Sequence, residues 1–162
     1  MSLVTRVGVF AYALAAAVAA LDQQSKDWVL ARLGPSVGEP HPVWGPLRLT
    51  LVENRGVSFG LFQSDAPWTR WALAAFSLVV AVALAVWVRR AQKFYTGAAL
   101  GLIIGGALGN FIDRIRDGQV VDFVDVTALH FPWVFNLADS AITVGVLLLL
   151  AEGLIPDRKS AA

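Results

Sequence analysis

The chain has 162 residues, of which 57% are hydrophobic and 15% charged, with a net charge of +1 and no cysteine. A mean hydropathy of +0.63 places it with membrane proteins rather than soluble globular ones. These values exclude disulfides, thiolate metal sites and a cysteine nucleophile; two histidines, His41 and His130, argue against a histidine-rich metal centre, and the charge offers nothing for nucleic acid.

By length the chain is one domain, 1–162. A membrane-spanning helix needs about 20 apolar residues, and four segments qualify. The first runs roughly from Val4 to Leu21. Arg6 ahead of an apolar run with the small-residue stretch AAAVAA has the look of a cleavable signal peptide. Three more spans follow, and the run passes directly into DQQSK, so a retained first helix is expected. In DQQSK, Asp22 and Lys26 stand at i and i+4. That spacing predicts an ordinary ion pair on the helix surface, and at a membrane boundary it also allows the pair to face a polar site.

A loop of about residues 33–67 comes next. Its first part, GPSVGEPHPVWGP, is turn-rich and reads as irregular. LRLTLV then alternates Leu47, Leu49 and Leu51 with Arg48 and Thr50, the period of a half-buried strand. Asn54, Arg55 and Gly56 can turn the chain, and VSFGLF can return as the partner strand. The expected product is a small curved sheet on the membrane surface, its apolar face toward lipid or substrate.

The second span runs from Trp68 to Val88 and the third from Tyr95 to Ile112. Gly97, Gly101, Gly105 and Gly109 recur every four residues in the third, a stripe that lets another helix approach closely. Beyond it Asn110 and Arg114 share one face and are expected to project from the helix end toward the outer surface. The fourth span runs from Val134 to Ile155.

Two aspartates stand out at span boundaries: Asp122 in GQVVDF and Asp139 in FNLADS. A carboxylate beside a spanning segment is costly and by default marks function. Each has a plain alternative: Asp139 as third residue of a helix capped by Asn136, in a capping box, and Asp122 as a solvated acid after the Asp117–Gly118 turn. Neither explains why FVDV and FPWVF surround both acids with apolar and aromatic residues. Two close carboxylates share a proton, one activating a water and the other polarising a carbonyl. Ser25, Ser58, Ser64 and Ser140 lie in no GxSxG elbow, so a serine mechanism is weaker.

Orientation follows from charge density. Arg6, Arg89, Arg90, Lys93, Arg158 and Lys159 fall in short segments flanking the spans, whereas the other seven basic residues are spread over longer stretches rich in acids. Both termini are therefore expected inside, with DQQSK, the long loop, GNFIDR and the start of the fourth helix on the outer side.

DQQSK, ENRGVSFGLF, GGALGNFIDR, GQVVDF and FNLADS resemble, in order and spacing, the blocks of bacterial lipoprotein signal peptidase, also called signal peptidase II. The resemblance covers nearly the whole chain. It implies four transmembrane helices with a small extracytoplasmic β-sheet cradle in the bacterial inner membrane. It implies an aspartyl endopeptidase that removes the signal peptide from prolipoproteins just before a diacylglyceryl-modified cysteine, without cofactor or metal. By the same resemblance Asp122 and Asp139 are the catalytic pair. Asn54, Gly56, Gly109, Asn110, Arg114, Asn136 and Ala138 line or support the site, Asp22 and Lys26 match the first-helix block, and the cyclic peptide globomycin binds there. Arg114 could donate to substrate carbonyls. The alternatives are a small polytopic transporter or channel subunit, which predicts acids in mid-span; a presenilin-type protease, which needs a GxGD block absent here; and an assembly protein using only the glycine stripe.

Overall fold

The computed structural model describes residues 3–56 and 67–154. Four helices dominate: α1 (Arg6–Leu33), α2 (Pro67–Val88), α3 (Phe94–Arg116) and α4 (Leu137–Leu154). All four are long and apolar enough to cross a membrane. A four-stranded antiparallel sheet, ordered β1 (His41–Trp44), β2 (Leu47–Asn54), β3 (Val120–Asp125) and β4 (Val134–Phe135), sits at one end of the bundle. The expected fold class is thus the observed one.

Helix α3 is the central post, packing along α1, α2 and α4, while α1 touches α2 and α4 only slightly. The glycine stripe explains the approach of α1. A Cβ added at Gly101 would lie 2.8 Å from the Ala11 carbonyl oxygen, and one at Gly105 would lie 2.7 Å from that of Ala15. Gly97 meets Val7 and Gly109 meets Asp22, so the whole stripe faces α1. Gly106 serves α4 in the same way, pressed against the Ala138 carbonyl, and Gly145 of α4 returns the arrangement against Ala99 and Ile103. Without a hydrophobic drive between helices in lipid, such close backbone contact carries much of the association. At the far end Thr5 caps α1 by accepting from Gly8 N–H and donates its hydroxyl to the Ala91 carbonyl at 2.7 Å.

Several expected boundaries move. Helix α1 does not stop near Leu21 but continues through DQQSK to Leu33; its 28 residues span about 42 Å, longer than the hydrocarbon core of about 30 Å. Its last turns form a wall for the sheet, with Val29, Leu30 and Leu33 packed against it. Val134 and Phe135 are not the start of the last helix but strand β4, paired with Val124 and Asp125. The stretch read as irregular contains a 3₁₀ turn at Gly34–Ser36 and strand β1, joined to β2 through Gly45 at φ 52°.

LRLTLV forms β2 as expected, flanked by β1 on one edge and β3 on the other. VSFGLF, its expected partner, lies outside the described residues. The sheet's apolar face is not turned to lipid or substrate: Leu51, Val121 and Phe123 pack with Val29 of α1, joined by Leu30, Leu33 and Leu49. Burial there follows from the extra length of α1, which the hydropathy of its first half did not reveal.

Candidate active site

The chain places Asp122 and Asp139 through different elements. Asp122 is in the middle of β3, opposite Val52 of β2, and only 2% exposed. It is a strand residue, not a solvated loop acid; the Asp117–Gly118 turn, with Gly118 at φ 80°, merely starts the strand. Asp139 is in the first turn of α4 and is also buried. Asn136 caps that turn, its Oδ1 accepting from the Asp139 backbone N–H at 2.9 Å. The expected cap is present, but Asp139 also turns its carboxylate inward: Oδ1 accepts from Asn110 Nδ2 at 2.9 Å.

Three asparagines hold the acids. Asn54 is two residues beyond Val52 on the same strand face, a diagonal neighbour of Asp122, and its Nδ2 donates to Asp122 Oδ2 at 2.9 Å. Asn136 Nδ2 donates to Asp122 Oδ1 at 2.7 Å and lies 3.3 Å from Asn110 Oδ1. A continuous line therefore runs from Asp122 through Asn136 and Asn110 to Asp139. Asn54 Oδ1 also accepts from Gly56 N–H at 2.9 Å, turning the chain as β2 ends.

Asn110 and Arg114 do not project outward; both are buried. Arg114 donates from Nη2 to the Gly56 carbonyl at 2.9 Å and from Nη1 to the Asn110 carbonyl at 3.1 Å. Its fork thus fastens the turn after β2 to α3. Arg70 of α2 in turn caps α3, donating from Nε to the Arg114 carbonyl at 2.6 Å and from Nη2 to the Ile115 carbonyl.

The Asp22–Lys26 pair forms at 2.6 Å, yet it is not a surface pair: both side chains are 0% exposed. Lys26 also reaches Asp113 Oδ2 at 2.7 Å and lies 3.4 Å from Asn110 Oδ1. Asp22 Oδ1 accepts from the Ala138 N–H at 2.9 Å, adding a second cap to α4 from another helix. Gly109 and Ala138 are small because Asp22 passes between them: a Cβ on Gly109 would stand 2.5 Å from Asp22 Oδ2 and 3.3 Å from Ala138 Cβ. Each site residue expected from sequence is therefore in this one cluster. Asp113 and Gln23 were missed; Gln23 Nε2 donates to Asp113 Oδ1 at 2.6 Å.

Burial, and then the neighbouring charge of Asp139, push the Asp122 carboxyl up to about 7, against the opposing bonds from Asn54 and Asn136. Asp122 therefore holds a proton at neutral pH far more readily than an exposed aspartate. Among the described residues no group of three or more histidine, aspartate or glutamate side chains is placed to hold a metal ion.

Fold and site define a multi-pass membrane protein with a buried aspartate pair at one end of its helix bundle. The profile of signal peptidase (SPase) II matches residues 14–155, and the chain belongs to that peptidase family. A lipoprotein signal peptidase of Caulobacter vibrioides is 52% identical over 156 residues, covering 96% of this chain and 92% of the relative. One from Methylorubrum extorquens is 45% identical, covering 89% and 85%. Among solved structures, one described as a bacterial membrane enzyme solved by the in meso method is 28% identical with a TM-score of 0.77, covering 100% of this chain and 99% of its own.

Proposed function

We propose that this chain is an aspartyl endopeptidase that cuts the signal peptide from diacylglyceryl-modified prolipoproteins just before the lipid-bearing cysteine. The observation that carries this reading is the line Asp122–Asn136–Asn110–Asp139, buried where the sheet meets the bundle. In this scheme Asp122 carries the proton and donates it toward the scissile carbonyl oxygen, while ionised Asp139 takes a proton from the attacking water. The C–N bond then breaks as Asp139 passes the water's proton to the departing amine and a hydroxyl of the tetrahedral intermediate returns its proton to Asp122, so the aspartates end the cycle with one proton between them.

The remaining residues serve that chemistry. Asn54, Asn110 and Asn136 orient the carboxylates. Gly109 and Ala138 keep the floor narrow, Asp22 and Lys26 support it, and Arg114 with Gly56 shapes the wall beside the substrate. The chain works in the bacterial inner membrane, both termini cytoplasmic and the site at the outer face. There the substrate's acyl chains stay in lipid while its backbone reaches the polar cluster. A globomycin-type cyclic peptide would occupy the same place. A transporter or channel subunit fits less well, because the acids gather at one end of the bundle rather than along a path through it.

The test is processing of a diacylglyceryl-modified precursor by purified protein carrying Asp122→Asn or Asp139→Asn. Each change should abolish cleavage while precursor binding persists. Normal cleavage by either variant would remove the pair from the mechanism.

A further inference from the structure

Asp113 lies outside the aspartate pair, yet it is 1% exposed and belongs to a fully buried ionic group. Lys26 is its centre, with Asp22 Oδ2 at 2.6 Å on one side and Asp113 Oδ2 at 2.7 Å on the other. Each of these carboxylates also holds one backbone N–H. Asp22 takes that of Ala138, the residue before Asp139; Asp113 takes that of Val121, the residue before Asp122, at 3.4 Å. Gln23 closes the group from below, donating to Asp113 at 2.6 Å and reaching the Gly109 carbonyl at 3.3 Å.

A buried ionic group of this kind is no better for stability than well-packed apolar side chains of similar volume, because desolvation offsets its attraction. What it supplies is direction. One ammonium, held between two carboxylates, fixes the backbone on either side of the gap between sheet and bundle. The geometry points to Asp113 as a positioning residue for the peptidase reaction, holding β3 through Val121 in register with α4 so that Asp122 meets Asp139. Lys26 and Asp22 complete the yoke. The inference rests on the aspartyl peptidase reading, and it adds a residue with no place in the proton transfers.

The experiment compares purified Asp113→Ala, Asp113→Asn and Asp113→Glu on a diacylglyceryl-modified precursor, recording kcat, KM, the pH–rate profile and the thermal unfolding midpoint. Loss of register should lower kcat about 100-fold in Asp113→Ala with KM nearly unchanged, the scale expected for a displacement of about 1 Å. Asparagine keeps an oxygen for the Val121 N–H and should restore about tenfold of that loss, the scale of one retained hydrogen bond. The Asp122 carboxyl responds to burial, to Asp139 of α4, to Asn54 and Asn136, and to Lys26 of α1, not to the charge of Asp113. The pH–rate profile of the asparagine variant should therefore keep its wild-type position while kcat falls. Glutamate keeps the charge but moves the carboxylate, so kcat should fall there too, which tests the assignment even if the alanine variant does not fold. Wild-type rates in the alanine or glutamate variant would overturn the assignment, as would losses that track only the folded fraction. Absence of cleavage by the unmodified protein would instead strike at the peptidase reading itself.

Discussion

Asn136 donates to Asp122 across 2.7 Å while its other amide atom caps the helix that carries Asp139. One side chain thus links a strand acid to a helix acid, and its two amide atoms are not interchangeable. Asn136→Asp should keep the cap but lose the donor and face Asp122 with a second anion. We expect a fall in kcat of about 10- to 100-fold, as an unsatisfied buried acceptor costs about 1–3 kcal/mol. Asn136→Ala should in addition lower the unfolding midpoint, since a lost cap costs about 1 kcal/mol. Kinetics and thermal unfolding on the two variants separate these effects.

The pH dependence follows from Asp122. Its carboxyl, at about 7, lies above the ordinary value of 3.8, so the folded protein favours the protonated form. That contribution to stability is complete below pH 3.8 and is lost as pH rises through about 7. If Asp122 is the proton donor proposed above, the cleavage rate should fall as pH rises through about 7, where it gives up that proton. Asp122→Asn should flatten the dependence of the unfolding midpoint on pH between about 4 and 7. An unaltered dependence in that variant would assign the effect to another group.

Removing the ammonium at the yoke should hurt more than removing an exposed ion pair. Lys26→Met leaves Asp22 and Asp113 buried without a cation, a situation that costs about 3–5 kcal/mol. Thermal unfolding in detergent should show a large drop. The double variant Lys26→Met with Asp113→Asn should recover part of it, because one of the two stranded charges is gone. A midpoint for Lys26→Met equal to wild type would mean that the ionic group contributes nothing to the fold.

The glycine stripe makes a graded prediction. Gly105→Leu drives a side chain into Ala15 and Val18 and should destabilise the bundle by about 1–3 kcal/mol with the chemistry intact in whatever remains folded. Gly109→Ala meets the Asp22 carboxylate instead. It should lower kcat more than stability, because the carboxylate displaced also holds the first turn of α4 through its other oxygen, which accepts from the Ala138 N–H. Parallel measurement of unfolding midpoint and kcat distinguishes the two positions.

Much of the architecture was legible because lipid imposes strong local rules. Four apolar runs, a strand with period two at Leu47–Val52 and a glycine every fourth residue each report on their own segment. What was not legible depends on residues meeting across segments. Asp22 and Lys26 carry the spacing of a surface pair, and nothing local shows that Asp113 of α3 closes on the same ammonium. Asp113 itself could have been suspected, as a third acid on the turn of α3 that carries Asn110 and Arg114. Strand β4 was hidden because Val134 and Phe135 are as suited to a helix start as to an edge strand, and only pairing with Val124 and Asp125 decides. Asp122 in GQVVDF and Asp139 in FNLADS stand out in the sequence by their apolar setting, while the asparagine link between them needs the fold.

The two acids reside on parts of different kind, Asp122 on the sheet and Asp139 on the bundle. The two are brought together only where β3 and β4 dock on the first turn of α4, much as a lock works only when bolt and strike plate align. If they act as the proposed pair, the seating of sheet on bundle is what assembles the catalyst.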